Sequence, residues 1–359
     1  MTGDAVSARG DDGGGGAVLV LRAASPLATV QDLGRVGWQR FGVSVCGATD
    51  AASLSAANVL AGNPPGAPAV EFTLDGGEWE LAGAPLCRVA VAGGAFAIAV
   101  DGRPVASWRS VTLHEGSRLR IGPAPDALRG YLSVAGGFAV ALQLGSAATH
   151  VRTAIGGLDG RALRADDALP LAGGAAGSAP AGPDRMLDPA SALPPRTLPV
   201  RVVLGPQDDY FTDEAVAAFL GSDYAVSREA DRMGYRLDGP RLAHRDGYNI
   251  VSDGIAAGSI QVPGSGQPIV LLADRQTTGG YPKIATVITS DLAAVAQSRP
   301  GDRLRFAAVP LAEAHAIHRA WRSRLAGLAG RLTPVRGDLD SETLLTKNLI
   351  GGVVDARRA

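Results

Sequence analysis

"ADRQTTGGYPKIA", residues 273–285, reads as the end of one strand, a tight loop and the start of another. Its first residues close "PIVLLAD" (268–274), an apolar run of strand length, and its last open "IATVITS" (284–290), rich in β-branched side chains. Gly279 and Gly280 permit positive φ and close backbone approach, so consecutive N–H groups are expected to converge there. The loop ends on Lys283, one of only two lysines in a chain whose other basic residues are arginine; the second, Lys347, lies in a polar tail.

Outward from this loop the same texture continues in both directions. "AVLVLRA" (17–23), "RVAVAGG" (88–94), "FAIAV" (96–100), "RLRIG" (118–122) and "GYLSVAGG" (130–137) are short apolar runs bounded by turn residues. "LPVRVVLG" (198–205), "YNIVSDG" (248–254), "SIQVP" (259–263) and "RLRFAAV" (303–309) repeat the pattern in the second half. Helical periods are few: Asp50 is positioned to cap "AASLSAANVLAG", Thr212 to start the helix through "AVAAFLG", and Asp291 to cap "LAAVAQ". Residues 311–327 form the longest helical stretch. Isolated helices among many short strands predict a mainly β fold of two barrel-like domains with a few short accessory helices, and exclude strict βαβ alternation.

The segment 172–197, rich in Ala, Gly and Pro, reads as a linker. It divides an N-terminal β-barrel-like domain (17–171) from a C-terminal one (198–330), between a glycine-rich leader expected to be disordered (1–16) and a tail (331–359). The resemblance of "GSRLRI" (116–121) to "GDRLRF" (301–306) supports a duplicated barrel.

Composition excludes several functions. Lys and Arg total 34 against 35 Asp and Glu, a balance that offers no field for nucleic acid or an anionic membrane. No run of about 18 apolar residues supports a membrane span. Cys46 and Cys87 make no disulfide framework and no Cys-x-x-Cys, which suits a reducing compartment and points to the cytoplasm. Neither lysine follows a glycine, so there is no P-loop, and no methionine precedes a lysine, so there is no biotin attachment site. His315 and His318 share a helical face without an acidic or cysteine neighbour, so no metal is expected.

What remains is polar residues crowded at apolar strand ends. Asp274, Gln276, Thr277, Thr278, Gly279 and Gly280 form one group, ahead of Lys283. "SREADRMGYRLDGP" (227–240), with Asp231 and Arg232, reads either as a second group or as a surface turn with an ion pair. In "TVQDLGRVGWQRFGVSVCGATD" (29–50), Arg35 precedes glycine-spaced aromatics that either stack on a planar ligand or fasten a long loop. Glu71, inside the apolar "AVEFTL", is an acid that either faces solvent by alternation or is held for a purpose. Asn58 lies near the end of the first helix.

These stretches, with "GATD", "AANVLAGNP", "GGLDGRAL", "GPQDDYF", "SDGIAAGSIQVP", "PGDRLRF" and "NLIGGVVDA", carry a resemblance over residues 18–355. The sequence resembles the allophanate hydrolase subunit 2 family, biotin-dependent carboxyltransferase-like proteins that include the C subunit of 5-oxoprolinase and the antagonist KipA. Val36 and Trp38 depart from the Pro and Tyr usual there.

The resemblance implies cyclophilin-like barrels, a small amide substrate and two partner chains. One partner is of the subunit 1 type, like the B subunit of 5-oxoprolinase or KipI, and the other is like the A subunit of 5-oxoprolinase. On this reading the complex converts 5-oxoproline to glutamate with ATP, and the isolated chain is inactive. The alternatives are carboxyl transfer from carboxybiotin, the biotin being carried by another chain, and a non-enzymatic KipA-like regulator. No cofactor is expected to be bound covalently here. Asp274 would accept a substrate N–H or act as base, and Gln276, Thr277 and Thr278 would orient the amide. The Gly279 and Gly280 amides with Lys283 would stabilise the oxyanion. Gln261, Arg232, Glu71, Asn58 and Arg35 are further expected substrate-binding residues.

Overall fold

A computed structural model describes residues 16–25, 27–172, 182–193 and 199–335. The expected leader, apart from Gly16, lies outside the described residues, as do much of the expected linker and the tail from 336 onward.

The chain is mainly β. Its first half makes two antiparallel sheets. One orders Ala168–Pro170, Val18–Ala23, Gly77–Ala82, Arg118–Ile121, Ile98–Val100 and Arg103–Val105. The other orders Thr29–Gln31, Ala69–Thr73, Arg129–Val134, Leu86–Ala92, Arg109–His114, Arg185–Met186 and Thr333–Pro334. Leu19, Leu21, Trp79 and Leu119 of the first sheet meet Val70, Phe72, Val89 and Val91 of the second in a single core. On the far face of the second sheet, Ala90, Ala92 and Tyr131 pack against the helix Ala51–Ala61. Alanines and serines on that helix allow the close approach, and every residue from Ala52 to Ala61 is buried.

In the second half one eight-stranded sheet runs Arg303–Leu304, Tyr224–Ala230, Gly234–Asp238, Ile269–Leu271, Ser259–Gln261, Lys283–Val287, Val200–Leu204 and Phe306–Ala308. Its two outermost strands are separated in the chain by Arg305 alone, so the opposite edges of the sheet meet and the sheet wraps into a nearly closed barrel. Phe219, Tyr224, Phe306, Val202 and Ile260 fill it, with Phe219 stacked on Phe306 at 4.8 Å between centroids. The expected strand "RLRFAAV" is therefore two strands that serve opposite edges. Its counterpart Arg118–Ile121 is an inner strand, so the likeness of the two hexapeptides does not extend to topology.

Asp50 caps the first helix through Ser53 N at 3.0 Å, and Thr212 caps Asp213–Gly221 through Ala215 N at 3.1 Å, both as expected. Asp291 does not cap Leu292–Ala296: its carboxylate is engaged by the backbone N, Nε and Nη2 of Arg201. The expected strand 248–254 is reduced to Asp253–Gly254, because Tyr248 and Val251 face solvent and give it no core side. Within the expected linker, Arg185–Met186 joins the second sheet and Asp188 caps a short helix, Pro189–Ala192. The helix Leu311–Ala326 carries the chain back toward that sheet, where Thr333–Pro334 pairs with Arg185–Met186. No helix among the described residues is long and apolar enough to cross a membrane.

Gln297 ties the halves together. Its Oε1 accepts from Leu128 N and Arg129 N, and its Nε2 donates to Asp50 Oδ2 and Arg129 O. Gln297→Leu would take the acceptor from the buried Leu128 N and Arg129 N, so urea denaturation should show a loss of about 2–6 kcal/mol. A loss comparable with that of an exposed substitution would contradict the bridging role.

Candidate functional site

Asp231 closes the turn after Tyr224–Ala230 by accepting from Met233 N at 2.7 Å and Gly234 N at 3.2 Å. The turn directs Arg232 inward. Its Nε and Nη2 donate to the two oxygens of Asp274 at 2.9 and 2.8 Å, a bidentate pair. Nη2 also donates to Gly47 O at 2.7 Å, and Nη1 donates to Glu71 Oε1. Glu71, buried in Ala69–Thr73, accepts in addition from Thr49 N at 2.9 Å and Tyr131 OH at 2.8 Å, and pairs with Arg129 Nη1 at 3.5 Å. Two carboxylates and two guanidinium groups are thus buried together with a sum of zero.

This balance sets the protonation of Glu71 and Arg232. Burial alone would raise the Glu71 pKa, but Arg232 and Arg129 outweigh it and hold the carboxyl below its ordinary value. Burial would lower Arg232, but Glu71 and Asp274 hold it well above. The Cys46 thiol donates to Asp274 Oδ1 at 2.9 Å or to Thr149 O at 3.1 Å, and burial pushes its pKa up to about 12. It is a neutral donor, not a nucleophile.

Asp274 also lines a cavity of about 330 Å³, with Arg35, Ser44, His150, Gln276 and Thr277. Arg35 is buried, and its Nε and Nη2 donate to Gln143 O and Ala148 O while Nη1 has no partner among the described residues. His150 Nδ1 shares a hydrogen bond with Thr153 Oγ1 at 2.7 Å, and its Nε2 has no partner among the described residues. Ser44 Oγ donates to Ala273 O or Arg275 O, holding the 42–46 loop to the strand end that carries Asp274. A fixed guanidinium, an imidazole and a carboxylate around one cavity can hold a small planar ligand with both donors and acceptors.

The structure brings Arg35, Arg232, Glu71, Asp274, Gln276 and Thr277 together but places the other expected residues elsewhere. Lys283 is buried in its strand, with Nζ on Asp253 Oδ2 at 2.8 Å, and lines neither this cavity nor a second one that shares Arg152, Met233 and Gln276 with it. That hydrogen bond holds Asp253 below the usual carboxylate range. Gly279 and Gly280 do not take positive φ, so the expected nest of N–H groups is not formed. Thr278–Gly279 is a short extended strand, and a Cβ at 279 would lie 2.6 Å from Gln261 Nε2 and displace that side chain. Thr278 is exposed. Gln261 faces the second cavity. Asn58 is wholly engaged with Pro65 O, Ala67 O, Asn63 and Ser133, holding the chain after the first helix.

Sequence reasoning missed Ser44, Cys46 and His150. By spacing alone Cys46 speaks only to disulfides and metals, and His150 is one of several scattered histidines; the signal available was their place in polar loops between apolar runs. No group of three or more His, Cys, Asp or Glu among the described residues could hold a metal ion.

Residues 41–308 match the carboxyltransferase domain, subdomain A and B. The chain is 38% identical over 296 residues to the C subunit of 5-oxoprolinase from Haemophilus influenzae, a match covering 81% of this chain and 91% of that protein. It is 37% identical to the corresponding C subunit from Escherichia coli, covering 83% and 93% respectively. Among solved structures, the urea carboxylase of Kluyveromyces lactis superposes with a TM-score of 0.78 at 27% identity, over 89% of this chain and 30% of that one.

Because the Glu71 pKa is depressed on folding, its contribution is present above the unfolded value of about 4.3 and is lost as pH falls through the folded value. Glu71→Gln should cost about 3–5 kcal/mol at neutral pH by leaving buried arginine charge uncompensated. The gap from the parent should narrow in urea titrations at progressively more acid pH, and a gap independent of pH would refute the ionised pairing.

Proposed function

The chain belongs to the family of carboxyltransferase domains of the subdomain A and B type, and from that premise we propose that it is the C-type subunit of an ATP-dependent 5-oxoprolinase complex. In this role it supplies the pocket that holds the cyclic amide, alongside A-type and B-type partner chains. Similarity to two 5-oxoprolinase C subunits over more than nine-tenths of their length supports the reading. The observation that carries it is the cavity in which Arg35 Nη1 and His150 Nε2 lack partners among the described residues, next to the carboxylate of Asp274.

5-Oxoproline presents a carboxylate, a ring N–H and a carbonyl. Arg35 would take the carboxylate, Asp274 would accept the ring N–H, and Thr277 with Gln276 would orient the carbonyl. Arg232 already engages both Asp274 oxygens, which suits Asp274 to positioning the amide more than to removing its proton. Ring opening adds water across the amide C–N bond, the hydroxyl going to the carbonyl carbon and a proton to the departing nitrogen, with ATP hydrolysis driving the step. Lys283, paired with Asp253, would fix the strand beside the pocket without touching the substrate.

A second reading is carboxyl transfer from carboxybiotin borne by another chain, which the likeness to a urea carboxylase favours. Coexpression with the two partner chains, omitting each in turn, separates the two. 5-Oxoproline-dependent ATP hydrolysis and glutamate formation should require all three chains; a silent, well-folded complex carrying a biotinylated protein would support the second reading. Asp274→Asn should abolish turnover. Arg35→Gln should raise KM about tenfold or more, the size of one charge-assisted hydrogen bond; an unchanged KM would remove Arg35 from the pocket.

A further inference from the structure

A second cavity, of about 520 Å³, lies against the first, and Arg152, Met233 and Gln276 line both. Its own lining comes from the barrel strands and their turns and includes Arg228, Glu229, Asp231, Arg236, Gln261 and Tyr281. Three arginines therefore face two acids. Arg236 Nε pairs with Glu229 at 2.7 Å and Arg152 Nη2 with Asp231 at 3.5 Å, which leaves Arg228 with no ion-pair partner among the described residues.

Gln261 supplies the second unmatched donor. It is 2% exposed; its Oε1 accepts from Gln276 Nε2 at 3.3 Å, while its own Nε2 has no partner among the described residues. The amide is held in place, because that hydrogen bond fixes one end and Gly279 packs against the other. A buried N–H without an acceptor costs about 1–3 kcal/mol. The fold keeps that cost at a cavity whose one unmatched charge is also a donor.

We infer that this second cavity is a binding site for an oxyanion, the carboxylate or phosphate group of a second ligand, held by the Arg228 guanidinium and Gln261 Nε2. The site stands whether or not the first cavity holds an amide, since none of its donors is engaged there. Gln276, in the shared wall, would bring the two ligands side by side.

The purified full chain is titrated calorimetrically with inorganic phosphate and, separately, with glutarate. Saturable binding of either probe is expected, weakened about tenfold by Arg228→Gln, the loss of one charge-assisted hydrogen bond. Gln261→Leu should weaken it as well, whereas Arg322→Gln, on the exposed helix Leu311–Ala326, should not. Binding of phosphate alone assigns a phosphate group, and binding of glutarate alone a carboxylate. No saturable binding of either probe, or binding by Arg228→Gln as tight as the parent's, overturns the site. Arg228 is exposed, so its variant decides the matter even where Gln261→Leu fails to fold.

Discussion

The guanidinium of Arg232 is the charge around which the rest of the molecule is arranged. A buried cation without matched anions would cost several kcal/mol, and here the anions come from distant parts of the chain, Glu71 being 161 positions away and Asp274 being 42. Arg129 then balances the second carboxylate. The requirement that these four charges cancel fixes how the strand Ala69–Thr73 stands against the barrel, and with it the cavity beside Asp274. Gln297 reinforces the same junction with neutral hydrogen bonds.

Much of the fold was legible because strand length, turn residues and helix caps are local signals. The apolar runs, the caps at Asp50 and Thr212 and the helix from 311 were read from their own residues. The failures have a common cause in long-range structure. "YNIVSDG" has strand composition, yet nothing packs on Val251, and only the tertiary fold decides that. Asp291 has the residue type of a cap, yet Arg201, 90 positions earlier, claims its carboxylate more strongly than the helix N-terminus does.

The candidate site was legible as a loop and not as a constellation. The crowded polar residues at 273–283 supply Asp274, Gln276 and Thr277 to one wall of the cavity, and Glu71 and Arg232 stood out as polar groups among apolar neighbours. Which of them meet is a matter of pairing across the sheet. Lys283 and Asp274 share a loop in sequence, but strand alternation and the Asp253 carboxylate take the lysine to a different partner. The fold is shared with a urea carboxylase, so the choice between amide chemistries rests on side chains in the cavities and not on the barrel.

The single residue that separates the two edge strands of the barrel has a bearing on biosynthesis. Until residues 303–308 emerge from the ribosome, the nascent barrel presents two unpaired edges at once, at Tyr224–Ala230 and Val200–Leu204. Six consecutive residues then seal both in one event. A message truncated just short of that point would yield a product with most of its core and two sticky borders, a substrate for chaperones and not a functional protein.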